Sequence, residues 1–429
     1  MGFLAERKAR RAVEAAAVRA ADEAHRAAGE TEQAVREGVR LRRAREFEAA
    51  ERTLAEAVRS GAERLGPDAP AVLRGAVEHG RTLVLTLRWA DAEPVLRAAA
   101  DRSAADLPRQ LTTHLDARQA LGSTLLGLER PAEAAAELEA YHELLERHEV
   151  VRSNVVAPGE LAKAYGRIGR YSEAALLYAE LATELEAEQG RSGPAVLQAR
   201  GRLAATLLAL GHLEQAQRAA RAVIRAATAD TATATATAAD NPDAVGRWTA
   251  SAVLARTLAH QGAGEEGEAA VLAAIADCEQ LGGPGARALD GLREALAEIL
   301  NGRGRHQEAL DLVTGLLAAR APRRQRAASA VLHADRAAAL LGLGRPEDAR
   351  QAVEQAVADC RAALGPRSTT ALATDTLHGR VLAALGRTDE ARAALTANAA
   401  AWREHYGPEH FRTREAEREL AALEGESAP

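Results

Sequence analysis

The sequence predicts an all-α solenoid of about nine helix-turn-helix repeats, with a capping helix at each end. Three observations predict it. An alanine recurs at Ala50, Ala92, Ala134, Ala174, Ala216, Ala309, Ala349 and Ala391, with Gly267 taking its place once. Most intervals are 40 or 42 residues, a period that marks stacked supersecondary units rather than one globular core. Nine residues before each mark stands a large residue: Leu41, Leu83, Leu125, Tyr165, Leu207, Leu258, Leu300, Leu340 or Leu382. Twelve residues before it stands a small one: Gly38, Gly80, Gly122, Ala162, Ala204, Ala255, Ala297, Ala337 or Gly379. The small residue lets two helices approach closely, and the large one fills the space beside the neighbouring helix.

The mark sits in a recurring phrase: IGRYSEA ending at Ala174, LGHLEQA at Ala216, LGRPEDA at Ala349 and LGRTDEA at Ala391. Its glycine enters the left-handed conformation without penalty and ends one helix. Its acidic residues favour the positive N-terminal end of the next. Each phrase therefore reads as helix, tight turn, helix.

This pattern of small and large positions resembles the tetratricopeptide repeat over roughly residues 31–410. The 40–42-residue period, with Gly-Pro at Gly66, Gly283, Gly365 and Gly407, resembles the kinesin-light-chain-like subclass of longer repeats. The family's early Trp is absent; Ala34, Ala76, Arg118, Arg200 and Asp375 stand in its place. The resemblance implies a right-handed superhelix, with the first helix of each pair lining a concave groove that binds extended peptides or partner helices.

The organisation expected is a capping helix over 1–29, repeats 1–5 over 30–225, a low-complexity Thr/Ala insertion loop over 226–241, repeats 6–9 over 242–410, and a capping helix with tail over 411–429. The insertion, poor in large apolar groups, cannot drive packing. It is read as an exposed loop, with a hinge between repeats 5 and 6 as the alternative. The first helix, with Arg7, Lys8, Arg10 and Arg11 near its start, is read as a cap on the first repeat, the alternative being a docking helix for an acidic surface.

Composition narrows the function classes. Aromatic residues are 3% of the 429, so Ala, Leu and Val must make the core. A formal charge of −6 argues against a general nucleic-acid binder. No apolar stretch reaches the length of a membrane span, and the N-terminus lacks the apolar run of a secretion signal. The expected location is cytoplasmic. Cys278 and Cys360 occupy equivalent places two repeats apart, too far for a disulfide, and are expected to be free thiols.

No catalytic or metal constellation stands out, and no cofactor is expected: there is no Gly-rich phosphate loop, no His-Glu-x-x-His and no paired-cysteine spacing. His405 and His410 flank the Gly-Pro loop and are read as structural. Tyr141, Tyr165 and Tyr178 are read as core, although with Tyr171 they cluster in repeats 3 and 4.

The resemblance places groove-facing residues eleven before each mark: Val39, Arg81, Ser123, Lys163, Ala205, Arg256, Glu298, Ala338 and Arg380. Arg74, Gln119, Arg167, Gln198, His260 and Asn301 are neighbouring candidates. Four of the nine groove places are basic and one acidic, which predicts a locally positive face for an acidic segment or a free C-terminal carboxylate, with Arg offering forked hydrogen bonds. The expected function is a protein- or peptide-binding scaffold without enzymatic activity. The alternative is a ligand-responsive regulator, similar to bacterial pheromone sensors, that acts through a protein partner.

Overall fold

The structure is a computed structural model that describes residues 2–150, 156–231, 243–281, 286–320 and 326–425. Among these residues there are nineteen α-helices and no strand. Contacts divide the chain into two compact units, Met1–Arg152 and Ser153–Pro429. The first holds α1 (Gly2–Arg43), α2 (Phe47–Leu65), α3 (Pro70–Leu85), α4 (Trp89–Ala104), α5 (Leu107–Gly127) and α6 (Pro131–Arg147). The second holds α7 (Val156–Ile168), α8 (Tyr171–Gln189), α9 (Pro194–Ala209), α10 (Leu213–Thr231), α11 (Asp243–His260), α12 (Gly264–Leu281) and α13 (Ala286–Gly302). It continues with α14 (His306–Arg320), α15 (Arg326–Gly342), α16 (Pro346–Ala363), α17 (Thr369–Ala384), α18 (Thr388–Tyr406) and α19 (Phe411–Gly425). These are nine antiparallel pairs and a closing helix, a helix-turn-helix repeat solenoid.

All eight recurring alanines are wholly buried, at 0% exposure. Each lies on the second helix of its pair, and four residues later a side chain points at the small residue of the first helix. A Cβ placed on Gly80, Gly122 or Gly379 would fall 2.5, 2.6 or 2.6 Å from a side-chain carbon of Leu96, Leu138 or Leu395, and Gly38 faces Leu54 in the same way. Where the small residue is alanine, the place opposite holds Tyr178, Ala220, Val271, Val313 or Val353. Glycine thus pairs with leucine, and alanine with valine in three of its five pairs, so that a larger group on one helix tends to meet a smaller one on the other. Gly267 replaces the alanine where the Ala255 carbonyl comes within 2.6 Å of any Cβ it would carry.

The turn inside each pair repeats one hydrogen bond. The N–H four residues before the mark donates to the carbonyl of the large residue nine before it, from Glu46 to Leu41 at 3.0 Å through Arg387 to Leu382 at 3.0 Å. This is the six-to-one bond of a Schellman ending. The residue between takes positive φ in every turn: Gly169, Gly211, Gly262, Gly304, Gly344 and Gly386 in α7–α18, but Arg45, Leu87 and Glu129 in α1–α6. The side chains in the early turns carry a left-handed strain of roughly 1–2 kcal/mol each.

Arginine opens many of the second helices, and it cannot accept a bond as an ordinary cap would. Instead Arg130, Arg345 and Arg387 each grip the acid three residues on, Glu133, Asp348 and Glu390. Arg88 and Arg130 also reach back one period, to Glu51 at 2.6 Å and Glu93 at 2.7 Å, and Arg305 reaches Glu268 likewise. These ties staple each pair to the one before.

Three expectations change. The first helix does not end near residue 29: α1 runs unbroken to Arg43. Its residues 13–26 are all exposed and cover nothing; burial begins at Ala27 and Thr31. A run of Ala, Arg and Glu stays helical by propensity alone. The side chains of Arg7, Lys8 and Arg11 lie outside the described residues. The expected loop over 226–241 is helical as far as Thr231, and 232–242 lie outside the described residues. The units do not divide there either: Val223 and Ala227 of α10 share a core with Ala250 and Val253 of α11. Tyr141, Tyr165, Tyr178, Cys278 and Cys360 are all buried. Burial pushes the Cys360 thiol up to about 11, so it is a packing group rather than a thiolate nucleophile.

Within each unit the first helices of neighbouring pairs pack on one another, α1 on α3, α3 on α5, α9 on α11, α11 on α13, α13 on α15 and α15 on α17. Among the described residues second helices make no comparable contacts with each other. First helices therefore form the inner face of each unit's curve.

The second unit also turns back on itself. Gly365 N–H donates to the Arg167 carbonyl at 2.9 Å, and the Tyr171 hydroxyl meets Thr369 Oγ1 at 3.1 Å. The Tyr406 hydroxyl donates to the Arg367 carbonyl. His410, 4% exposed, bonds the Ala209 carbonyl through Nε2 at 3.1 Å and accepts from Arg412 N–H at Nδ1 at 3.1 Å. It stacks on Trp402 and Phe411 at 5.2 and 4.8 Å. One nitrogen donating and the other accepting fixes a neutral ring.

Three outcomes follow from this packing. Gly80→Ala should cost about 1–3 kcal/mol by crowding Leu96. Leu96→Val should cost about 1 kcal/mol, and the double variant should be more stable than the sum of the two in urea unfolding, because it recreates the alanine–valine pair of Ala297 and Val313. Leu87→Gly should raise stability by about 1 kcal/mol in the same assay by relieving the left-handed strain. Burial, reinforced by the charges of Arg412, His212 and His260, depresses the His410 ring to about 4. An unfolded histidine protonates near 6.5, so the His410 contribution is whole above that pH and is lost as pH falls towards about 4. The stability advantage of the wild type over His410→Gln should shrink by on the order of 3 kcal/mol across that window, read from thermal melts between pH 8 and 4.

Candidate functional site

The candidate residues fall on the two units separately. On the first unit, Arg74 and Arg81 project from α3 and Gln119 and Ser123 from α5. Arg74 pairs with Glu32, and Arg81 with Glu78 at 2.9 Å and Asp116 at 3.0 Å. Gln119 Nε2 donates to Ser123 Oγ at 3.2 Å, one turn along the same helix. A cavity of about 490 Å³ opens between α1, α3 and α5. Val35, Val39 and Val77 give it an apolar floor, and Arg36, Arg40, Arg43 and Arg74 face Glu78 and Asp116 around it. Its charge is mixed rather than simply positive.

On the second unit the structure brings three of the candidates together. Arg256 and His260 of α11 lie one turn apart and both face Glu298 of α13. Arg256 Nε donates to Glu298 Oε2 at 2.9 Å, and His260 Nε2 stands 3.5 Å from Oε1. Arg412, at the start of α19, reaches the same Oε1 at 3.2 Å. Glu298 is thus the hub of three nitrogen groups. It keeps 31% of its side chain open, as expected of a group in a concavity rather than a sealed core. Burial would raise its carboxyl, but the charges of Arg256, His260 and Arg412 and the Arg256 hydrogen bond prevail and hold it at about 2. Its neighbour Asp335 on α15 goes the other way: burial and the Glu298 charge push that carboxyl well above the usual range. Asp335 Oδ2 is buried without a hydrogen-bond partner, while the Asp335 backbone carbonyl accepts from Asn301 Nδ2 at 2.9 Å. One carboxylate held charged by its partners, and a neighbouring one whose charge burial disfavours and whose Oδ2 lacks a partner, offer a ligand two unlike acceptors.

The other candidates stand apart from this cluster. Arg380 pairs with Glu419 at 3.4 Å, and Gln198 is exposed on α9. Lys163 and Arg167 lie half-buried on α7, where the Arg167 carbonyl takes the Gly365 bond. Reading the positive face from sequence counted the arginines of the first helices without their partners. Glu298, the one acidic groove place, lies 42 residues from Arg256 and ties it one repeat along. Sequence reasoning missed Asp335 and Arg412; the equal spacing of Arg256 and Glu298 from their marks was the signal that could have found the hub.

Among the described residues no group of His, Cys, Asp and Glu is placed to hold a metal ion, and no helix is long and apolar enough to cross a membrane.

Comparison with known proteins bears on the fold. A tetratricopeptide repeat family model matches residues 334–369. No curated protein matches the chain. Among solved structures, NprR in complex with its cognate peptide NprX is 12% identical with a TM-score of 0.59, over 85% of this chain and 97% of that one. The apo quorum sensor NprR from B. thuringiensis is 12% identical at 0.53, over 92% and 99%. A Rap protein complexed with Competence and Sporulation Factor is 15% identical at 0.52, over 92% and 99%. None of these singles out the kinesin-light-chain-like subclass that the period suggested. The expectation that the chain is not an enzyme is corrected by aspartyl phosphate phosphatase F from Bacillus subtilis, 12% identical over 92% of this chain and 93% of that one, with a TM-score of 0.47. A repeat fold does not by itself exclude enzymatic activity. What the repeat match and the high-coverage structures establish together is an all-α, TPR-like repeat fold.

Proposed function

We propose that this protein is a peptide-responsive regulator whose second unit binds a short peptide on its inner face and passes the change to a protein partner. The observation that carries the reading is the cluster of Arg256, His260, Glu298, Asn301 and Asp335, with its unsatisfied Asp335 oxygen. Peptides present amides, a terminal ammonium and a terminal carboxylate, and this cluster supplies complements to each. A buried polar atom without a partner is costly, and a ligand donor placed there recovers that cost. Fold likeness to a structure that holds a cognate peptide supports the reading.

A fixed scaffold for an acidic segment has less support. Arg74, Arg81, Arg256 and Arg380 already face carboxylates, so an acidic partner would have to displace Glu32, Asp116, Glu298 or Glu419.

The test is small-angle scattering of the purified protein with and without a saturating pool of random heptapeptides. The pool should shift the radius of gyration. Glu298→Gln combined with Asp335→Asn should weaken the response at least tenfold, the effect of removing roughly 1–3 kcal/mol of charged hydrogen bonding, while leaving helical content intact. A scattering profile that no peptide alters would overturn the reading.

A further inference from the structure

The second unit's inner face is not empty. The segment that seats there is the chain's own, at the end of the α18–α19 loop and the first turn of α19. Gly407 breaks the path with φ of 80°, and three residues later His410 locks against the α9–α10 turn. The next two side chains point into the cluster described above. The Phe411 ring lies 4.5 Å from the His260 ring, tilted by 36°. The Arg412 guanidinium gives one arm to Glu298 at 3.2 Å and the other to Glu415 at 2.8 Å.

We infer that the His260–Glu298 face is a recognition site for an aromatic side chain followed directly by an arginine, and that Phe411 and Arg412 occupy it as a displaceable internal ligand. This rests on the peptide-responsive reading and names both the ligand class and the regulation of the same site. The chemistry selects both side chains. Glu298 is held ionised, so it accepts a cation in preference to a neutral donor, and the two arms of a guanidinium suit adjacent carboxylates better than an ammonium does. His260, half-buried and facing a ring, offers a flat surface for stacking. Asp335 Oδ2 remains unfilled beside the seated pair, so the internal ligand does not satisfy the site completely. A ligand that adds a donor there gains what Arg412 leaves unmade.

The internal ligand is also placed to be released. Behind it, α19 is anchored separately: Ala416 and Leu423 are buried against α17 and α18. Displacing Phe411 and Arg412 therefore removes the contacts of the start of α19 with α11 and α13, and so weakens the seam there, without unfolding α19. A peptide carrying the aromatic–arginine pair should open the second unit rather than tighten it.

The probe is the hexapeptide EHFRTR, blocked at both ends, which copies residues 409–414. Binding is followed by anisotropy of a labelled peptide. The Phe411→Ala/Arg412→Ala variant should bind the probe at least tenfold more tightly than the wild type, because its own ligand is gone. The control EHFETR should bind neither. A second variant guards against misfolding of the first: Glu298→Lys should reject EHFRTR and take EHFETR instead. Equal affinity of wild type and double variant for EHFRTR, or no reversal of preference in Glu298→Lys, overturns the inference. If EHFRTR fails while the random pool still changes the scattering, the peptide-responsive reading stands and only the internal ligand falls; if neither has an effect, both fall.

Discussion

The structure depends on one contact made nine times: a residue with almost no side chain on the first helix of a pair, met by a side chain from the second. Everything else needs the helix spacing that this contact sets. The burial of the recurring alanine, the seating of the large residue beside it and the registry of the next pair all follow from two helices approaching to the limit of their backbones. In a chain with few aromatic residues, such close approach is how many small contacts add up to a core. Identity is not conserved across the contact: glycine–leucine at four pairs gives way to alanine–valine at three, with Tyr178 and Ala220 opposite the other two alanines.

Polar groups then fix the order of the stack. Arginine at the start of the second helices satisfies an acid in its own first turn and another one repeat earlier, so the same side chain both supports a helix end and joins two units. Exposed pairs of this kind are individually weak. Their regular placement specifies which helix follows which, a matter of arrangement more than of strength.

How much of this was legible in the sequence follows from how far each interaction reaches. Interactions within one repeat were legible because they recur: the turns and the large and small positions each appear nine times, and the packing alanine eight times. Interactions one period away were half legible. Arg256 and Glu298 occupy the same place in neighbouring repeats, yet counting them as separate groove residues predicted a positive face where the structure has an ion pair. Interactions that close the second unit were not legible. His410 meets Ala209 across 201 residues, and no periodicity links them. The extent of α1 was missed for another reason: its exposed residues follow no packing pattern and are helical through composition alone.

The seam in the second unit changes what kind of polymer the solenoid is. A linear stack is quasi-one-dimensional, and its end repeat can fray at the cost of a single interface. Here the α16–α17 connection holds the turn after α7 and the α18–α19 loop holds the turn after α9, so loosening the C-terminal pairs also strips contacts from the beginning of the unit. The ends are coupled as in a ring. Unfolding from the C-terminus must then proceed with the whole unit, and folding must wait for two distant stretches of chain to meet, which raises the contact order of an otherwise local architecture.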